Sequence, residues 1–164
     1  MAHLDRKRAS HLMSQAGIDG LILLSPESFM YATGASSGVA TMWRRTGAVA
    51  VFVPADFSIP ETAIVSDLFV RNFKKVSHIK DVRESPIWVE TTDLNAFDLS
   101  QDPRDIMASA WREAARAHGF ARPTTFDPSV CYQHLADALA EHCLDGAKIG
   151  FEASAVSISD FPVL

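Results

Sequence analysis

The chain has 164 residues and a formal net charge of −5 at pH 7, from 15 Lys and Arg against 20 Asp and Glu, with 48% of residues apolar and 21% charged. That length suits one compact domain over residues 1–164, able to bury roughly 70% of the surface its unfolded chain exposes, and the composition excludes a disordered, collagenous or low-complexity chain. The acidic balance argues against nucleic acid as a partner, which needs many cationic phosphate contacts, and against an anionic membrane surface.

Ala9, Leu12, Met13 and Ala16 recur at helical spacing, and Gly17 stands where a helix C-cap is expected. Leu21 to Leu24 is a short apolar run that predicts a buried strand. Ser25-Pro26-Glu27 reads as an N-cap, a proline at the first helical position and an acid in the first turn, so a short helix should run to Thr33 and stop at Gly34. Ala35 to Arg45 reads as a loop. Gly47 to Val53 is apolar at nearly every position and predicts a central strand covered on both faces. Thr62 to Ser66 predicts a second strand, joined to the first as a hairpin. Asp67 to Lys75 reads as a short helix, Pro86 to Glu90 as a weak strand and Asp93 to Ser100 as a loop. Asp102-Pro103 opens an alanine-rich helix ended by Gly119 and Pro123. Asp127-Pro128 opens another, with Tyr132, Leu135, Ala136, Leu139 and Cys143 on one face and Gly146 at its end. Lys148 to Glu152 predicts a strand, and Ser154 begins a last helical segment. Strands and helices therefore alternate, which predicts an α/β fold with a mixed sheet and helices on both faces.

No stretch approaches the roughly 18 apolar residues that span a bilayer, and the charged opening Met1 to Arg8 carries no signal-peptide core. The two cysteines, Cys131 and Cys143, fall on one predicted helix about 18 Å apart, too far for a disulfide. Free thiols point to a cytoplasmic protein. The apolar ending Phe161-Pro162-Val163-Leu164 is expected to be a cut near a domain boundary of a longer protein.

The residues supply no convergent reaction centre. Gly34-Ala35-Ser36-Ser37-Gly38 has the Gly-x-Ser-x-Gly form of a nucleophile elbow, but a predicted helix precedes it where a strand is required. The six histidines lack metal-ligand spacing; His134 and His142 are two helical turns apart. Lys74, Lys75, Lys80 and Arg83 read as a solvated basic face. Trp43, Arg44 and Arg45 in a loop are the best binding candidates, since Trp and Arg favour recognition sites.

Three stretches together resemble the N-terminal domain of the creatinase/prolidase family, which includes the Xaa-Pro aminopeptidases. They are Ala16-Gly17-Ile18-Asp19-Gly20-Leu21-Ile22-Leu23, then Ser25-Pro26-Glu27-Ser28-Phe29-Met30-Tyr31-Ala32-Thr33-Gly34, then Lys148-Ile149-Gly150-Phe151-Glu152 with Ser159-Asp160-Phe161. Ser28 and Ala32 depart from the family's usual Asn and Leu. The resemblance implies a ribonuclease H-like arrangement and a non-catalytic domain, which forms a homodimer interface and walls the partner subunit's active site. It places Tyr31, Trp43, Arg44 and Arg45 on the part that approaches that site. It also implies a separate C-terminal pita-bread catalytic domain. In the peptidases that domain carries a dinuclear divalent metal (Mn, Co or Zn) and acts on small peptides; creatinase-like members work without the metal. No cofactor is expected within these residues. The alternative is a free-standing α/β module that binds a small molecule.

Overall fold

Asp5 starts the first helix: its carboxylate accepts the Arg8 backbone N–H at 3.1 Å, and α1 runs Arg6–Ala16 to a left-handed Gly17. The computed structural model describes residues 4–85 and 128–156, with residues 97–98, 100–102, 105–106, 108–110 and 112. Of the predicted apolar face of α1 only Met13 is buried; Leu12 is 50% exposed. β1 follows at Gly20–Leu23. α2, Pro26–Thr33, has the expected ends. The Ser25 hydroxyl accepts the Ser28 N–H at 3.2 Å, Pro26 opens the helix, and Gly34 at φ 69° donates its N–H to the Met30 carbonyl.

The stretch expected to be a loop contains a four-residue helix, α3, Ala40–Trp43. One turn is too short for a periodicity to reveal. It ends on Arg44, which adopts φ 48°.

β2 (Ala50–Pro54) and β3 (Thr62–Ser66) are buried throughout and form the expected antiparallel hairpin, with Ala50 opposite Ile64 and Phe52 opposite Thr62. β2 starts three residues later than predicted because Gly47 turns at φ 82°, where a Cβ would lie 2.4 Å from that of Pro128. After α4 (Val70–Val76), a strand absent from the sequence reading, β4 (Asp81–Ser85), pairs in parallel with β3. Its charges hid it, since Asp81, Arg83 and Glu84 give no apolar alternation. Of the basic face read from the sequence, Lys74, Lys75 and Lys80 are exposed, while Arg83 is half-buried in ion pairs. Arg83 reaches Glu141 at 2.6 Å and Asp81 at 3.3 Å, Lys74 lies 3.6 Å from Glu84, and the Thr62 hydroxyl donates to Asp81 at 2.6 Å. Charges on an edge strand also discourage pairing with other chains.

The sheet order is β4-β3-β2-β1-β5, with β5 at Ile149–Phe151. β1 runs antiparallel to β2 and parallel to β5, so the sheet is mixed. α5 (Ser129–Glu141) packs Cys131, Tyr132 and Leu135 against Ile22, Leu24, Ala50, Phe52 and Ile64. The alternate residues Leu23, Val51, Val53 and Val65 point to the opposite face and are buried as well. α2 packs on β2 and α4 on β3, and their buried Phe29 and Phe73 rings meet at 5.8 Å. Burying each such side chain stabilises the fold by about 1.5–3 kcal/mol.

α5 ends before the predicted Gly146. Cys143 lies beyond it in the left-handed region, exposed, whereas Cys131 is buried in the helix; both are free thiols. The chain forms two compact units, Met1–Ser85 with Pro128–Leu164, and Pro86–Asp127. In the latter, the Asp102 carbonyl accepts the Asp105 and Ile106 N–H groups, and residues 105–106, 108–110 and 112 are helical, as the Asp102-Pro103 pair predicts. A short 3-10 turn covers Ala153–Ala155. The predicted strand at 86–90, the end of the alanine-rich helix and residues 157–164 lie outside the described residues. Among the described residues no helix is long and apolar enough to cross a membrane.

Candidate functional site

Glu152 directly follows β5, and its carboxylate reaches across to the junction of β1 and α2. One oxygen accepts the Leu24 and Ser25 backbone N–H groups at 2.7 and 2.8 Å; the other accepts the Ser25 hydroxyl at 3.1 Å and the Ser28 hydroxyl. A helix start leaves such N–H groups without helical partners and favours negative charge. Ser25 thus serves twice, accepting the Ser28 N–H and donating its own proton to Glu152. Burial pushes the Glu152 carboxyl up, but the Ser25 N–H, the Ser28 hydroxyl and the Leu24 N–H outweigh it and hold the group below its ordinary value. It is therefore ionised at neutral pH.

The first turn of α2 also carries Glu27. Its carboxylate meets the Arg44 guanidinium at 2.5 Å, with both side chains largely exposed. Its own backbone N–H, then Arg44, hold Glu27 below the usual carboxylate range. Arg44 and Arg45 follow α3, and both line a cleft of about 310 Å³ whose other walls include Ser25, Pro26, Thr46 and Glu152. Arg44 and Arg45 bring two cationic residues to this cleft alongside the Glu152 carboxylate, with Arg44 also paired to Glu27; arginine presents a planar fork of donors that suits anionic groups.

The four residues singled out from the sequence do not all converge. Arg44 and Arg45 share the cleft. Trp43 ends α3, half-buried, and is not among the cleft's lining residues. Tyr31, 51% exposed on α2, lines a separate hollow of about 250 Å³ with Met30, Gly34, Ala35 and Ser36. Glu152, Ser25 and Thr46 were not anticipated as lining residues. The available signals were the charge closing the apolar Lys148–Phe151 run and the second role open to a capping serine.

Ser36 follows a helix rather than a strand, and its hydroxyl accepts the Gly38 N–H at 3.2 Å in a local turn, so the elbow geometry is not met. His134 Nε2 lies 3.0 Å from the Glu84 carbonyl, and His78 lies 3.9 Å from Glu61. Among the described residues, no three His, Cys, Asp or Glu side chains group closely enough to hold a metal ion.

The fold has known counterparts. An Xaa-Pro dipeptidase from Bacillus anthracis aligns with 96% of this chain at 14% identity and a TM-score of 0.55. A Creatine_N superfamily domain of a dipeptidase from Streptococcus thermophilus aligns with 99% at 13% identity and a TM-score of 0.50. At such identities the likeness is one of fold. The chain spans 29% of the length of the Bacillus protein and 84% of that of the Streptococcus domain. No curated protein matches it significantly. The family model for the creatinase/prolidase N-terminal domain matches residues 6–164, and the chain belongs to that family.

Proposed function

We propose that this chain is the non-catalytic N-terminal domain of a cytoplasmic creatinase/prolidase/Xaa-Pro aminopeptidase-like hydrolase. It contributes to a homodimer and walls the partner subunit's active site with the segment Ala35 to Arg45, which carries Trp43, Arg44 and Arg45, together with Tyr31. The reaction belongs to a C-terminal catalytic domain. A dinuclear divalent metal (Mn, Co or Zn) there would activate water for attack on a small peptide or amide. This domain's own residues bind and orient.

One observation carries the reading: Arg44 and Arg45 stand together on a cleft, in the segment that the family resemblance assigns to the partner's site. A guanidinium pair suits the carboxylate of a short peptide. Met42 on α3 is 78% exposed, the most of the large apolar side chains among the described residues, and such exposure next to Arg44 is compatible with a contact there. The test is an assay of the purified 164-residue chain on Xaa-Pro peptides and creatine, with and without Mn²⁺ or Co²⁺. No turnover is expected. Turnover by this chain alone overturns the non-catalytic assignment.

A further inference from the structure

The Arg44 side chain is exposed, and so is its ion-pair partner Glu27. An exposed pair of this kind is weak, because solvent and salt screen it and two long side chains must be ordered. The pair therefore holds Arg44 only as well as Glu27 is itself held. Glu27 sits in the first turn of α2, the turn that Glu152 grips through Leu24, Ser25 and Ser28. Residues on either side of Glu27 in sequence are thus tied to one carboxylate 124 and 127 residues away.

We infer that Glu152 is a positioning residue for the Arg44 guanidinium: by clamping the first turn of α2 it sets Glu27, and Glu27 sets Arg44 on the cleft wall. The contacts form one sequence, Glu152 to Ser25 and Ser28, along the helical turn to Glu27, and across to Arg44. Glu152 and Arg44 also line the same cleft. Arg44 leaves α3 in a left-handed conformation, so its backbone direction is set by the end of that helix, and its side chain takes its second anchor from α2. The purpose of the wall rests on the proposed function; the clamp itself does not.

The experiment is modification of the 164-residue chain by p-hydroxyphenylglyoxal, an arginine-specific reagent, with the rate at each arginine followed by peptide mass spectrometry. Arg83, held by Asp81 and Glu141, is the internal reference. E27Q removes the charge of the direct partner and should raise the Arg44 rate by up to about fivefold, the ceiling for an exposed pair. E152A should raise it by about twofold or more, with Arg83 unchanged. S28A, which removes one of the four hydrogen bonds, should shift it in the same direction and decides the matter if E152A does not fold. The inference is overturned if E27Q raises the Arg44 rate while E152A or S28A leaves it at the wild-type value. It is also overturned if Arg83 accelerates in parallel, which marks general loosening, or if E27Q has no effect. The readout needs neither substrate nor a second domain, so its failure is separate from failure of the proposed function.

Discussion

Asp19 and Lys148 exchange two hydrogen bonds: the Asp19 N–H donates to the Lys148 carbonyl at 2.8 Å, and the Lys148 N–H donates to an Asp19 carboxylate oxygen, also at 2.8 Å. They stand just before the parallel pairing of Gly20 with Ile149 and so set the register of β1 against β5. Replacing Asp19 by Ala leaves the Lys148 N–H without this acceptor. Both residues are exposed, so water can take the acceptor's place, and the expected cost is about 0.5–1.5 kcal/mol, the net worth of a typical hydrogen bond. Chemical denaturation with an unchanged midpoint would contradict it.

Glu152 should also shape the acid response. Its folded pKa is depressed, so its contribution is fully present above the unfolded carboxylate value and disappears as pH falls through the lower folded value. E152Q keeps the shape but lacks the titration and one acceptor oxygen. It should lower stability at pH 7 by about 1.5–3 kcal/mol and flatten the loss between neutral and acid pH. Denaturation midpoints at a series of pH values check this; parallel curves for the two proteins would sink it.

Gly47 combines φ 82° with a Cβ position 2.4 Å from the Pro128 side chain. Alanine there meets an unfavourable backbone region and a clash with a rigid ring. G47A should destabilise the chain by about 1–3 kcal/mol from the backbone alone. G17A is the comparison: Gly17 is also left-handed, but a Cβ there meets nothing within 4 Å, so it should cost less. Equal losses for the two variants would show that the Pro128 contact is unimportant.

The two thiols should be told apart by a disulfide reagent. Burial pushes Cys131 up to about 12, while Cys143 is exposed. Thiolate is the reacting form. One thiol should react in the native protein and the second only on unfolding, and C143S should abolish the native reaction. Two fast equivalents in native buffer would contradict the packing of α5.

Local chemistry made parts of this fold legible. Ser25, Pro26 and Gly34 announce both ends of α2 because each acts through a backbone preference within a few residues. Val49 to Val53 and Thr62 to Val65 announce the hairpin because burial on both faces demands apolar side chains. β4 was hidden because an edge strand can satisfy Asp81, Arg83 and Glu84 with ion pairs. The cleft was half visible. Arg44 and Arg45 stood out as adjacent cations, but the Ser25–Glu152 tie joins residues 127 apart, and no local pattern encodes such a contact. Trp43 stands beside the arginines in sequence, but chain adjacency does not reveal which way the one-turn α3 directs each side chain, and Tyr31 belongs to a different helix, α2.

The central claim is that the Arg44–Arg45 wall serves a neighbouring active site. Its most direct test is the R44A/R45A double variant in a two-domain protein carrying this chain, with kcat, KM and thermal unfolding measured together on Xaa-Pro peptides. The account predicts a KM raised about tenfold or more, from loss of a charge-assisted contact worth roughly 1.5–3 kcal/mol, with little change in unfolding temperature. An unaltered kcat/KM would contradict it.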